Sequence, residues 1–149
     1  MRPEFDPRGH GAPVNTRRDS RIILLAALAA LALTVIGVRF MLWPDAASRF
    51  FGLIGRPNGF QLHTVVGLRD LWLGVLALAF CWLRDWRALA IWLGLGALVC
   101  FGDAGIVFGA RGKPPAILFH LLSGVFCFVL ALLSWRRWLR DKSAPKSGP

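Results

Sequence analysis

Four long apolar stretches, separated by short polar segments, dominate the pattern of this chain. They cover residues 22–42, 62–83, 88–110 and 116–135. Each is long enough to cross a hydrocarbon core of about 30 Å, which takes about 20 residues at the helical rise of 1.5 Å. Because a backbone in lipid must satisfy its own hydrogen bonds, such stretches are helical. The pattern predicts an all-α integral membrane bundle of four transmembrane helices.

The polar segments beside these stretches carry most of the positive charge. Residues 1–20 have the composition of a disordered cytoplasmic tail and residues 139–149 that of a basic tail, on either side of a transmembrane domain at 21–138. With the link at 84–87, the side that bears both ends of the chain holds twelve Lys and Arg, against four on the other side. Because Lys and Arg concentrate on the cytoplasmic side, we expect a multi-pass protein of the cytoplasmic (inner) membrane with both termini cytoplasmic.

The first loop predicts a short additional helix. Pro44 suits the first position of a helix, Asp45 suits its first turn, and Gly55 suits its end. The residues between them are partly apolar, so we expect the helix to lie in the outer interface of the membrane. It either anchors the loop or covers the outer ends of the long helices as a lid.

The formal net charge of +10 does not indicate a nucleic-acid partner. The basic residues flank the apolar stretches, whereas nucleic-acid binding requires a basic patch on one face. They fix the topology and contact anionic headgroups, so membrane lipids are the expected partners.

The three cysteines are separate in the sequence and form no CxxC pair, which is typical of packing residues and not of a thiol relay. They are Cys81, Cys100 and Cys127. The sequence also lacks the ligand spacing of a zinc site and a glycine-rich phosphate loop. We therefore expect neither a metal nor another cofactor.

Small and polar residues recur at steps of three and four in every apolar stretch, which places them on one face of each helix. In the second and fourth stretches these residues are His63, Gly67, Asp70, Gly74, Ala77 and Cys81, and His120, Gly124, Cys127, Ala131 and Ser134. In the first and third they are Ala27, Ala30, Thr34 and Gly37, and Gly96, Cys100, Asp103 and Val107. Small residues let membrane helices approach closely, so we expect these faces to point into the bundle.

Six ionisable residues lie inside the predicted spans, all in the outer half of the membrane. They are Arg39, His63, Arg69, Asp70, Asp103 and His120. At 1.5 Å per residue, Asp70 lies about 12 Å and Asp103 about 10 Å below the outer surface. A charge in the membrane costs about 2.5–3.5 kcal/mol on insertion scales, so each of these residues needs a partner.

Two arginines and two aspartates suggest ion pairs between helices. Arg69 and Asp70 are adjacent and diverge by about 100° around a helix, so they cannot both point inward. We expect Asp103 to pair with Arg69 or Arg39, and Asp70 to face the two histidines. Such a cluster either locks the helices together or forms a functional site.

The functional interpretation assigns chemistry to five residues. Asp70, His63 and His120 would act as acid and base, Arg69 would stabilise an anion, and Asp103 would complete the polar cluster. The alternative for the histidines is that they bond backbone or headgroups at the interface.

A short motif adds a family resemblance. The run Gly67-Leu68-Arg69-Asp70, followed by Gly74 and by Phe101-Gly102-Asp103, resembles domain of unknown function 4267, with a looser likeness to DoxX-like proteins. Phe51-Gly52 fits the same family, and the resemblance covers about 39–120. It implies a small four-helix membrane fold and draws attention to Arg69, Asp70 and Asp103. It implies no established activity.

Three classes of function fit these observations. The protein binds or acts on a small apolar or lipid-like molecule, such as a quinone or isoprenoid, at the outer polar site, and whether it is an enzyme stays open. It is a proton-coupled transporter of small molecules, in which Asp70 or Asp103 carries the proton. Or it is an accessory subunit or homodimer, with the glycine-rich third span as the contact.

Overall fold

Five helices form the computed structural model, which describes residues 16–51 and 60–143. They are α1 (Thr16–Leu42), α2 (Pro44–Phe51), α3 (Phe60–Leu83), α4 (Trp86–Gly109) and α5 (Pro114–Ser143). These two described ranges contain no strand. All helices except α2 are long and apolar enough to cross a membrane. The predicted all-α fold of four transmembrane helices and one short helix in the first loop is confirmed.

The short helix begins where the sequence predicts. Pro44 is its first residue, and it follows α1 after Trp43 alone. Backbone hydrogen bonds run across this junction, because the Trp43 amide donates to the Arg39 carbonyl at 2.8 Å and the Ala47 amide donates to the Trp43 carbonyl at 3.0 Å. The predicted stop at Gly55 lies outside the described residues.

Both terminal helices are longer than the sequence suggested. Helix α1 begins at Thr16, so residues 16–20, expected in a disordered tail, are helical. Helix α5 continues to Ser143, into the stretch expected as a basic tail. The remaining tail residues, 1–15 and 144–149, lie outside the described part of the chain.

A contact between the first and last helices accounts for both extensions. The Arg137 Nε donates to Asp19 Oδ2 at 2.6 Å, and Arg137 also pairs with Asp141 on its own helix. The guanidinium lies 5.7 Å from the centre of the Trp86 ring at the start of α4. Three helix ends therefore meet at Arg137. We call this end of the bundle, where α1 begins and α5 ends, the termini end, and the other the α2 end.

The turn between α3 and α4 takes only two residues. Arg84 adopts a left-handed conformation with φ 51°, and the Asp85 amide donates to the Phe80 carbonyl at 3.1 Å. The Asp85 carboxylate then accepts from the Ala88 amide at 3.0 Å and caps α4. Because only two residues separate them, α3 and α4 run in opposite directions.

The long helices pack as two close pairs, α1 with α3 and α4 with α5. The apolar core between the pairs lies towards the termini end and consists of Ala26, Cys81, Leu89, Leu93, Leu130 and Ala131. Large apolar side chains point outward on all four long helices, among them Leu24, Leu68, Leu98 and Leu122, each more than half exposed. An apolar outer surface of this kind suits lipid and not water.

The small-residue faces predicted for α3 and α5 point into the bundle. On α3 all six residues of the series from His63 to Cys81 are buried. On α5 the series from His120 to Ser134 is buried except for Cys127, which is half-buried.

The inward face of α4 differs from the prediction except at Val107, which is fully buried. It passes through Leu93, Ala97 and Ala104, so the buried alanines lie one residue after the predicted Gly96 and Asp103. The core leucines determine the rotation of the helix, because they bury more apolar surface than glycine can.

Candidate functional site

Helix α2 lies across one end of the bundle, and a histidine from α3 holds it. The Ser48 hydroxyl is 2.7 Å from His63 Nε2 and donates to the Pro44 carbonyl at 2.8 Å. A serine hydroxyl has one proton to donate, so His63 donates from Nε2 to Ser48. Ser48 is only 2% and His63 only 7% exposed. This buried bond ties α2 to α3.

A second histidine, from α5, holds the end of α2. His120 Nε2 lies 3.2 Å from the Phe51 carbonyl oxygen. A carbonyl only accepts, so His120 donates from Nε2. The Phe51 ring also packs on the imidazole, with ring centres 4.5 Å apart. The alternative of an interfacial histidine bonded to backbone therefore describes the contact of His120.

Asp70 pairs with its own neighbour. The Arg69 Nε and Nη2 both lie 2.9 Å from Asp70 Oδ1. The Asp70 side chain is 10% exposed and that of Arg69 is 49% exposed, so only the carboxylate points inward. We expected Asp70 to face the histidines and Arg69 to reach across to another helix. The arginine instead folds back on the adjacent carboxylate, a contact that needs no second helix.

Asp103 is half-buried on α4 and, among the described residues, forms no hydrogen bond or ion pair. The prediction that Asp103 pairs with Arg69 or Arg39 is therefore wrong. It does interact electrostatically with His120, Arg69 and Asp70. We call these four residues, Arg69, Asp70, Asp103 and His120, the polar cluster.

The polar cluster brings together four of the five predicted site residues. Within it, Asp103 is a carboxylate without a hydrogen bond or ion pair among the described residues, so it can accept a proton or orient a polar group. The fifth residue, His63, is bonded to Ser48 on α2. The polar cluster lies on α3, α4 and α5. Two of these helices, α3 and α5, also carry the histidines that hold α2.

A side cavity of about 440 Å³ lies between α1, α2 and α5, and the sequence did not predict it. Its lining includes Leu28, Leu31, Val35 and Arg39 of α1, Phe50 of α2 and Phe119 of α5, and its other lining residues are apolar. Phe50 meets Phe119 edge to face at 5.7 Å. Apolar lining residues look like lipid-facing ones in a sequence, so only the arginine among them offered a signal.

Two of the three cysteines are not separate in the fold. The Cys100 thiol of α4 and the Cys127 thiol of α5 lie close enough to interact across the helix pair. Both are free and half-buried. Both thiols thus pack in the contact between α4 and α5. Within the described ranges, no three His, Cys, Asp or Glu side chains converge to hold a metal ion.

Comparison with known proteins identifies the family. The model of the family described as "Domain of unknown function (DUF4267)" matches residues 30–134, which include most of the four long helices. Neither the curated proteins nor the solved structures gave a match. The looser likeness to DoxX-like proteins finds no support in these comparisons.

Proposed function

Because this chain belongs to the family described as "Domain of unknown function (DUF4267)", which names no activity, we propose a function from the geometry of the α2 end. The protein binds a small, largely apolar, lipid-like molecule that enters from the surrounding lipid. Its binding site is the side cavity, and the polar cluster lies at the same end of the bundle.

The side cavity is the observation that carries this proposal. Its volume of about 440 Å³ falls in the range of about 300–1,000 Å³ typical of small-molecule sites. Its lining is apolar except for Arg39, which matches a molecule with one polar end. Helix α2 contributes Ala47 and Phe50 to the lining, while hydrogen bonds from His63 and His120 hold the same helix. Of the two roles expected for α2, anchor or lid, its contribution to the cavity lining supports the lid.

A matched pair of valines tests the proposal. Val35 lines the cavity and is 51% exposed, whereas Val125 is 53% exposed on α5 and is not a lining residue. In nanodiscs, a long-chain alcohol carrying a photoactivatable diazirine is expected to label α1 in a saturable way. Val35→Trp fills the cavity and should abolish this labelling, and Val125→Trp should leave it unchanged. Labelling that does not saturate, or that survives Val35→Trp, contradicts the proposal.

Proton-coupled transport is a second candidate, and Asp103 favours it. A half-buried carboxylate without a hydrogen bond or ion pair in the described chain is free to take up a proton at membrane depth. In proteoliposomes, a pH gradient is expected to drive transport of a lipophilic cation such as ethidium. Asp103→Asn should stop it, and the exposed Asp45→Asn on α2 should not. Transport by the wild type that ignores the pH gradient rules this function out.

The distribution of Lys and Arg supports a cytoplasmic membrane location with both termini in the cytoplasm. This orientation exposes the α2 end to the outside. In intact cells lacking the native cysteines, a membrane-impermeant thiol reagent should label Lys113→Cys but not Ser143→Cys. The reverse labelling pattern refutes the orientation without touching the cavity.

A further inference from the structure

We propose that the molecule in the side cavity is an anionic amphiphile with a single chain, a long-chain carboxylate whose headgroup lies against Arg39. This inference rests on the proposed function and adds the chemical class of the ligand. Two observations support it, namely the single positive charge in the lining of the cavity and the dimensions of the cavity.

Arg39 is a cation without a carboxylate. Its guanidinium lies 5.7 Å from the centre of the Phe50 ring, and within the described residues it forms no ion pair. Arg69 and Arg137, by contrast, each donate to an aspartate. The planar fork of a guanidinium matches a carboxylate and binds it through two parallel hydrogen bonds. A contact with the ring of Phe50 uses no N–H group of Arg39 as a hydrogen-bond donor to a carboxylate, so these donors stay available for an anion.

The position of Arg39 places the anion at one end of the cavity. Leu28, at the other end of the α1 lining, is eleven residues away along the helix, or about 16 Å at 1.5 Å per residue. The lining between them is apolar, through Leu31 and Val35. An amphiphile in this cavity therefore lies along α1, with its head near α2 and its chain towards the bilayer centre.

The volume of the cavity accommodates one chain. If a methylene group takes about the volume of a water molecule in the liquid, about 30 Å³, the cavity holds about 15 such groups. The second acyl chain of a phospholipid would lie outside the cavity. One positive charge balances one carboxylate, so the ligand class is a fatty acid or a molecule of the same form.

The test compares two probes that differ only at the head. A diazirine-bearing hexadecanoic acid and the matching hexadecanol are titrated into nanodiscs of zwitterionic lipid at alkaline pH, where the acid is ionised, and labelling of α1 is measured. A charge-assisted hydrogen bond is expected to favour the acid by about tenfold. Arg39→Gln should remove this preference while the alcohol labels as before, and Arg39→Lys should keep part of it. Lys113→Gln, which removes a cation from the α4–α5 turn, should change neither.

The outcomes separate this inference from the proposed function. Equal labelling by acid and alcohol in the wild type overturns the carboxylate and leaves the binding site standing. A preference for the acid that persists in Arg39→Gln overturns the role of Arg39. Saturable labelling by neither probe overturns the proposed function itself.

Discussion

The two close helix pairs of this bundle make contact in different ways. Between α1 and α3 the backbones themselves touch, since a Cβ added to Gly37 would lie 2.5 Å from the Leu71 amide nitrogen and 2.6 Å from the Gly67 carbonyl oxygen. Between α4 and α5 the contact is made by side chains, and the space beside Gly105 contains no described atom within 4 Å. Glycine therefore brings two backbones together between α1 and α3, whereas Gly124 of α5 makes room for the Phe101 ring of α4.

The charges follow the same contrast. On α3, Asp70 is paired with Arg69, whereas on α4, Asp103 forms no ion pair with any described residue. Helix α4 thus carries both the open glycines and the open carboxylate. The α1–α3 pair is thus closely packed, whereas α4 has exposed glycines and a carboxylate without an ion pair among the described residues.

Gly37→Ala is expected to lower the stability of the protein most. The new methyl group meets backbone atoms of α3, which cannot move aside as a side chain can, so the two helices must separate. Overpacking of this kind costs about 1–3 kcal/mol or more. The free energy of unfolding, measured by denaturation in mixed micelles, should fall by an amount in the upper part of this range. An unchanged value would show that the α1–α3 contact is looser than the structure has it.

The two aspartates should respond with opposite signs. Asp70→Asn leaves Arg69 without its carboxylate and is expected to lower the free energy of unfolding by about 1–2 kcal/mol, near the value of a charged hydrogen bond. Asp103→Asn removes a charge without an ion pair in the described chain, so stability should stay the same or rise. Each variant is the control for the other, because both replace an aspartate by an asparagine at similar depth. Equal losses would mean that Asp103 has a partner after all.

Gly124→Ala should have a smaller effect than Gly37→Ala. The added Cβ would lie 2.7 Å from the edge of the Phe101 ring, and an aromatic side chain can rotate away where backbone cannot. We expect a loss of about 1 kcal/mol in the free energy of unfolding. Phe101→Leu in the same chain should restore most of it. Failure of this rescue would indicate that the backbones of α4 and α5 also press together at this point.

Gly105→Ala is expected to change stability least, by no more than about 0.5 kcal/mol, because the methyl group enters open space. The same open face is the candidate contact for a homodimer. Gly105→Leu, examined by crosslinking in nanodiscs, therefore asks a separate question. A dimer of the wild type that dissociates in Gly105→Leu places α4 at the interface, and a dimer that persists places it elsewhere.

The sequence predicts the elements of this fold well. Four apolar stretches of sufficient length can only be helices in lipid, and Pro44 marks the start of α2 because its missing amide proton is not needed there. The series from His63 to Cys81 identifies the buried face of α3, since its spacing follows the helical period without interruption.

The contacts of the site were harder to predict, because each depends on a partner far along the chain. Nothing local to His120 indicates that its proton goes to the Phe51 carbonyl, 69 residues away. Glycines lie on more than one face of α4, so the pattern alone could not separate the packed alanine at position 104 from the open glycine at position 105. We expected Arg69 to pair with Asp103 on another helix, but a pair with the adjacent Asp70 requires less ordering of the side chain.

The ion pair at the termini end links the order of synthesis to the completion of the bundle. Asp19 lies in the first helix and Arg137 in the last, 118 positions apart. The contacts of α1 with α3 can form as soon as the first half of the chain is inserted. The bond between Asp19 and Arg137 cannot form until α5 has left the ribosome. This link between the first and the last helix therefore forms only after the other helices have been made.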